Sequence, residues 1–269
     1  MTPESICPKL IALDLDGTLL NSAGKLSERS LKAIAGLKAK GTRLVLCTGR
    51  PPRYIKMLAD ELELADLVVA YNGAAIVNLT KQTADYRHQL SRAEALELLR
   101  VMRHSHPEAM AGMETHHGWY LDEQLYAIRK PQLLARNLAL PDGYGELESF
   151  ITNAVIKVFF RHPDIAAETL SHAIKDLGLY ATWSSPYLLE VMATKVNKQE
   201  AIAHLAEQYD FAQHQVAAFG DQNNDKELIS WAGFGVAMAN ASEELKSAAD
   251  FVTSSNNEDG VARVLEAWL

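Results

Sequence analysis

Residues 10–18 read Leu-Ile-Ala-Leu-Asp-Leu-Asp-Gly-Thr. Four apolar residues in a row fit a strand buried on both faces, as in a parallel sheet flanked by helices. The run stops at two acids two residues apart, followed by Gly17 and Thr18. In an open α/β sheet, ligands gather outside the carboxyl ends of the strands. Asp14 and Asp16 are therefore expected at that lip. If strand periodicity continues, both carboxyls face the same side. Two carboxylates so placed repel unless a divalent cation or a proton neutralises one of them. The plainer alternative is an acidic turn in which Gly17 supplies a permissive backbone.

The chain around this stretch alternates strand and helix. A helix is expected over 27–40, capped by Ser27 and stopped at Gly41. A Val- and Leu-rich strand over 42–47 runs into Thr48-Gly49-Arg50, and Pro51 and Pro52 open a second helix. A third strand over 67–71 ends at Asn72-Gly73. This spacing predicts a doubly wound, Rossmann-like parallel sheet. The pattern changes near residue 80. Ser91 and Glu94 form a capping box for a helix to about 104. Strands over 109–114 and 118–121 follow, then a helix over 123–138 that Pro131 should kink or break. A strand over 154–161, a helix over 164–177 and strands over 180–184 and 187–192 complete an α+β segment. Strand–helix alternation then resumes: a helix over 198–209, a strand over 216–219 ending at Gly220-Asp221, a helix, a short strand over 234–237, another helix after Ser242, a strand over 251–253 and a last helix from about 259. The expected organisation is a core of 1–81 and 192–269 with an inserted domain of 82–191, joined by hinges near 77–82 and 192–196.

Composition narrows the partners. Of 269 residues, 48% are hydrophobic and 22% charged, which is ample for an ordinary packed core. A net charge of −8 argues against nucleic acid, whose binding rests on neutralised phosphates. It leaves room for a small anion held by a local metal or cation. No apolar run approaches 18 residues, so no membrane partner is expected. Residues 1–8 lack a secretory pattern. Cys7 and Cys47 have no ligand or redox spacing and fit free thiols in a reducing cytoplasm. His104, His106, His116 and His117 are spaced poorly for a zinc site and read as surface residues. Oligomeric state is not readable.

Other expected strand ends carry polar residues. At Thr48-Gly49-Arg50, a hydroxyl and adjacent backbone N–H groups could grip an anion, or merely cap a helix. The acids and amides of Gly220-Asp221-Gln222-Asn223-Asn224-Asp225 offer the hard oxygens that Mg²⁺ prefers, beyond what an N-cap needs. Lys198 by itself reads as a surface charge.

Taken in order, Asp-Leu-Asp-Gly-Thr, a strand ending in Thr-Gly-Arg, and a lysine before Gly-Asp-Gln-Asn-Asn-Asp resemble the signatures of the haloacid-dehalogenase-like (HAD) hydrolase superfamily. Tyr71-Asn72-Gly73-Ala74, residues 235–241 and Glu258-Asp259-Gly260-Val261 resemble its Cof-type phosphatase branch, subfamily IIB. The resemblance implies a HAD core with a cap domain as the insert. It implies Asp14 as nucleophile and Mg²⁺ ligand, Asp16 as general acid/base and ligand through its backbone carbonyl, and Asp221 as the remaining protein ligand. Thr48 and Lys198 correspond to the pair that holds the phosphate, joined by Leu15, Gly49 and Asn224. Asp225, Arg50, Asn72 and Gly73 stand in support. Two departures matter. The lysine motif is altered, leaving Lys195 as a competitor for Lys198, and Ala239 replaces a family glycine. The implied function is a Mg²⁺-dependent phosphatase acting on a small phosphorylated metabolite, a sugar or cofactor phosphate, through an aspartyl phosphate. The cap would close over the site and select the leaving group. A sugar phosphomutase is the alternative. A phospho-accepting signalling receiver is more distant, because receivers lack the Asp-x-Asp-Gly-Thr arrangement and have no use for so long an insert.

Overall fold

The structure is a computed structural model that describes residues 2–3, 6–55, 58 and 67–269, with backbone alone for Ser184. The chain begins with β1 (Leu10–Leu13), the helix Glu28–Ala39, β2 (Arg43–Cys47), a 3-10 turn Pro52–Tyr54, β3 (Leu67–Ala70), β4 (Ala75–Asn78) and β5 (Thr83–Tyr86). The helix expected after Pro52 otherwise falls outside the described residues. Next come the helix Arg92–Ser105, β6 (Met110–Thr115), β7 (Gly118–Leu121), the helix Glu123–Ala135, β8 (Gly143–Tyr144), β9 (Val155–Arg161), the helix Ala167–His172, β10 (Tyr180–Ser185) and β11 (Leu188–Met192). The last part holds the helix Lys198–Gln208, β12 (Val216–Gly220), the helix Lys226–Trp231, β13 (Phe234–Ala237), the helix Glu243–Ala248, β14 (Phe251–Val252) and the helix Gly260–Glu266.

Two compact units result, one of residues 1–87 and 197–269, the other of 88–196. In the first, the sheet order is β14-β13-β12-β1-β2-β3-β4-β5. Pairing is parallel from β14 to β3 and antiparallel from β3 to β5. The chain leaves β1 toward β2 and β3, then returns on the other side through β12. The strand order therefore reverses between β1 and β12, the place where open α/β sheets form their ligand crevice. The apolar run behaves as its pattern requires: Leu10, Ile11, Ala12 and Leu13 are all fully buried. On the helix Glu28–Ala39, Ser27 accepts the Ser30 N–H as N-cap, while Ala33, Ile34 and Leu37 face inward.

The second unit has a six-stranded sheet, β10-β11-β9-β6-β7-β8. Leu98, Leu99 and Met102 pack with Val158, Phe160 and Val191. Met110, Trp119 and Leu121 form a further cluster with Leu125 and Leu133 of the helix Glu123–Ala135. These last two residues hold that helix at both ends, and it runs through Pro131 rather than breaking there. A proline forfeits one ladder hydrogen bond, and the packing on either side holds the helix across it. The helix expected over 164–177 is shorter: it spans Ala167–His172, with a 3-10 turn Lys175–Leu177 ended by left-handed Gly178.

The insert's boundaries also shift. The sequence placed them at 82 and 191; the compact unit runs from 88 to 196. Residues 77–82 are no hinge. Val77 pairs with Val68 and Ala84 inside a β3–β4–β5 antiparallel edge, and Gln82 sits in the β4–β5 turn with φ 53°. At the other end, Ala193 packs into the core of the second unit. No helix among the described residues is long and apolar enough to cross a membrane.

Candidate active site

Asp14 directly follows β1, and its N–H donates to the Phe219 carbonyl of β12 at 3.2 Å. Its carboxylate is nearly buried and accepts from Lys198 Nζ at 2.6 Å. Lys198 opens the helix Lys198–Gln208, capped by the Asn197 side chain. The lysine is 0% exposed and donates a second bond to Asp225 Oδ1, also at 2.6 Å. The other Asp225 oxygen accepts the backbone N–H groups of Asp221 and Gln222, each at 3.1 Å. Asp221 Oδ1 accepts from the Thr18 hydroxyl at 2.8 Å, and its Oδ2 accepts from Gln222 Nε2 at 2.9 Å. Gly17, with φ 83°, lets the β1 loop lie against this carboxylate, where any Cβ would collide. The two acid-bearing loops on either side of the strand-order reversal are thus tied together by Lys198 and Thr18.

Charge is unbalanced here. Asp14, Asp221 and Asp225 bring ligand oxygens within 4.8 Å of one another around one lysine. Burial holds the Asp14 carboxyl well above the usual carboxylate range; Lys198 pulls against this, while Asp225 and Asp221 add to it. Burial alone would lower the Lys198 ammonium, but Asp14 and Asp225 outweigh it and hold it above its usual range. Asp221 is pushed up to about 6, by burial first, with the Gln222 hydrogen bond opposing and Asp225 adding. Such a surplus of hard anionic oxygens fits a divalent cation such as Mg²⁺. Asp225 has the Lys198 ammonium on one oxygen and two N–H groups on the other, whereas Asp221 accepts from the neutral Thr18 and Gln222 side chains and Asp14 meets Lys198 through Oδ1, so Asp14 and Asp221 are the better placed carboxylates for it.

The second group lies at the ends of β2 and β3. Thr48 is buried; its N–H donates to the Val69 carbonyl at 2.9 Å and its Oγ1 accepts the Arg50 N–H at 3.1 Å. The Thr48 carbonyl accepts the Asn72 N–H at 3.0 Å. Asn224 Nδ2 donates to Asn72 Oδ1 at 2.9 Å, and Gly49 lies against the same amide. Gly73 packs on the Asn197 carbonyl, just ahead of Lys198. Leu15 is fully buried between the two acids, and its carbonyl accepts from Thr18 and Leu20.

Two expectations change. Asp14 and Asp16 do not share a partner or a setting. β1 ends at Leu13, so strand periodicity stops before the acids, and the Asp16 side chain is 58% exposed in a two-bond pairing with Arg50. Lys198 also departs from the surface setting its type suggests, whereas its competitor Lys195 is exposed. Sequence reasoning took Gln222 only as one of a run of amides and did not single out Thr18 or Asn240, whose Nδ2 donates to the Gly17 carbonyl at 2.8 Å. Thr18 carried a signal, a hydroxyl directly after the acid-Gly turn. Gln222 carried another, an amide beside Asp221.

Residues 11–265 match the family model described as haloacid dehalogenase-like hydrolase. Two relatives from Bacillus subtilis (strain 168) are named 5-amino-6-(5-phospho-D-ribitylamino)uracil phosphatase. One, YcsE, is 31% identical, with 99% of this chain and 98% of YcsE covered. The other, YitU, is 30% identical, with 97% of each covered. Among solved structures, a haloacid dehalogenase-like hydrolase from Bacteroides thetaiotaomicron matches with a TM-score of 0.82 at 30% identity, over 97% of this chain and 100% of that one. Sequence, fold and the acid-lined strand ends agree that the chain belongs to the haloacid dehalogenase-like hydrolases, alongside members named as phosphatases.

Proposed function

We propose that this phosphatase hydrolyses a small polyhydroxylated phosphate ester through an aspartyl phosphate, with Asp14 as nucleophile and Asp16 as general acid and base. The observation that carries the reading is the buried Asp14–Lys198–Asp225 arrangement beside Asp221, at the point where the strand order reverses. The phosphoryl group would be held by Lys198, the Thr48 hydroxyl, Asn224 and the backbone N–H groups of Leu15 and Gly49. Asp14 would attack phosphorus in line as the ester P–O bond breaks, and protonated Asp16 would donate to the departing alkoxide. Asp16, now a carboxylate, would take a proton from water as its oxygen attacks phosphorus. The P–O bond to Asp14 then breaks, inorganic phosphate leaves and Asp14 is restored. Asp16 rests against Arg50, so that pairing must yield before Asp16 can donate. Mg²⁺ bound by Asp14, Asp221 and the Asp16 carbonyl would offset charge on the transferring group.

Arg50 and Lys198 handle charge near the phosphoryl group and do not distinguish one alcohol from another. The leaving group is then read by the inserted unit, acting as a cap. YcsE and YitU, by their names, act on an ester of a ribityl chain, which favours a polyol or sugar-like alcohol here. The test is phosphate release with Mg²⁺ from a panel of sugar phosphates, 5-amino-6-(5-phospho-D-ribitylamino)uracil, an aryl phosphate and a phosphopeptide. The small esters should be turned over and the phosphopeptide should not. Asp14→Asn should lower turnover by a factor on the order of 10⁴ or more with unchanged circular dichroism. Activity of that variant within tenfold of the parent would remove Asp14 from the nucleophile role.

A further inference from the structure

At the end of β3 the backbone is left-handed for three residues in succession: Tyr71 (φ 51°), Asn72 (φ 55°) and Gly73 (φ 105°). Left-handed backbone is unfavourable for residues other than glycine, and such strain persists where the surroundings enforce it. Here it brings Asn72, 1% exposed, among the loops at the strand ends. The Asn72 N–H donates to the Thr48 carbonyl and its Oδ1 accepts from Asn224. A Cβ on Gly49 would lie 3.0 Å from Asn72 Oδ1 and 3.2 Å from Nδ2, so the amide rests on the Gly49 backbone. With its oxygen taken by Asn224, the free end of the amide is the NH₂ group. Among the described residues, buried Asn72 Nδ2 has no hydrogen-bond partner.

Buried polar atoms are nearly always paired, so an exception needs an acceptor from elsewhere. The residues that the Asn72 amide touches, Gly49 and Asn224, are ones assigned above to hold the phosphoryl group, and Thr48, bonded to its backbone, is a third. An anion with several non-bridging oxygens is the ligand whose chemistry matches a spare donor among them. We propose that the Asn72 side-chain amide donates a hydrogen bond to a non-bridging phosphoryl oxygen of the bound ester, which makes it a substrate-binding residue in its own right. The proposal rests on the phosphatase reading above.

The competing account is that Asn72 only braces Asn224. A double-mutant cycle separates the two: parent, Asn72→Gly, Asn224→Ala and the double variant. Glycine suits a positive φ, and thermal melts establish that each variant is folded. Two quantities are read, kcat/KM on the best small ester and the inhibition constant of inorganic phosphate. Asn72→Gly should lower kcat/KM by about 10²-fold, the scale of a lost oxyanion donor, and should weaken phosphate inhibition. Both losses should persist when Asn224 is already alanine. If they vanish in that background, Asn72 is only a brace and the proposal is overturned. Losses smaller than about threefold in Asn72→Gly overturn it too. A parent that releases no phosphate and is not inhibited by it would overturn the phosphatase reading, and this proposal with it. An active parent with unaffected Asn72→Gly would sink the proposal alone.

Discussion

Among the described residues, two buried lysines pair with carboxylates, and they make a controlled contrast. Lys198, fully buried, sits between Asp14 and Asp225 in the first unit. Lys157, with 6% of its side chain exposed, lies in β9 of the second unit and donates to Glu190 Oε1 at 2.5 Å. Glu114 of β6 stands opposite Lys157 in register and is also buried. As ion pairs the two look alike, and a buried pair alone is weak evidence for either stability or function. Their settings differ. The partners of Lys198 come from loops after β1 and β12, which flank the reversal of strand order. Glu190, the partner of Lys157, and Glu114 stand on the two strands that flank β9 in one sheet. Where strand-end loops converge, a buried charge can meet a ligand; within a sheet it mainly answers to its neighbours.

Replacing each lysine tests that difference. Lys157→Met should destabilise the protein by about 3–5 kcal/mol, because Glu190 is left buried without its partner. Chemical denaturation measures this, while turnover of a small aryl phosphate by the folded fraction should stay near the parent value. A large loss of that turnover in a folded Lys157→Met protein would erase the distinction. Lys198→Ala should lower kcat/KM by about 10²–10³-fold, the range of roughly 2.7–4 kcal/mol for a transition-state charge contact. Lys195→Ala, at an exposed position, should change it little. A reversal of these two losses would move the phosphate lysine to 195.

The sequence made the strand ends legible for a physical reason. The apolar run of β1 can only be buried, so the acids after it must lie at its carboxyl end. Asp221 followed from the same logic after β12. Lys198 could not be read locally, because its partners Asp14 and Asp225 are 184 and 27 residues away. The resemblance, not the residue's own pattern, singled it out. The setting of Asp16 was misread because periodicity was carried past Leu13, where the strand ends. β4 and β5 went unread for another reason. Thr83, Ala84 and Asp85 are exposed and carry no apolar signal, and β4 follows β3 across a turn too tight to mark a new element. The polar contacts of Asn72 needed coordinates as well, since its left-handed turn brings together residues from three loops.

The smallest effect concerns the cation, and it separates the two lysine settings once more. Burial places Asp221 at about 6 in the folded protein, against an ordinary 3.8. Its folded form therefore binds a proton more tightly than the unfolded chain does. Its contribution to stability is fullest below about 3.8 and is lost as pH rises through about 6. Above that, Asp221 is ionised beside Asp225 and Asp14, and a divalent cation, if held there as proposed, would relieve the repulsion. Mg²⁺ should thus raise the melting temperature more at about pH 7.5 than at about pH 5, where a proton competes for the same oxygen. At ten times its dissociation constant, a ligand bound only by the folded state contributes about 1.4 kcal/mol, or roughly 2–5 °C for a chain of this size. The shift should disappear in Asp221→Asn, which keeps the shape but not the charge. It should survive in Lys157→Met, because the Glu190 and Glu114 cluster offers no comparable set of ligands. An equal Mg²⁺ shift at both pH values, or one that survives Asp221→Asn, would mean that the cation binds elsewhere and that the acids after β1 and β12 are held together by Lys198 and Thr18 alone.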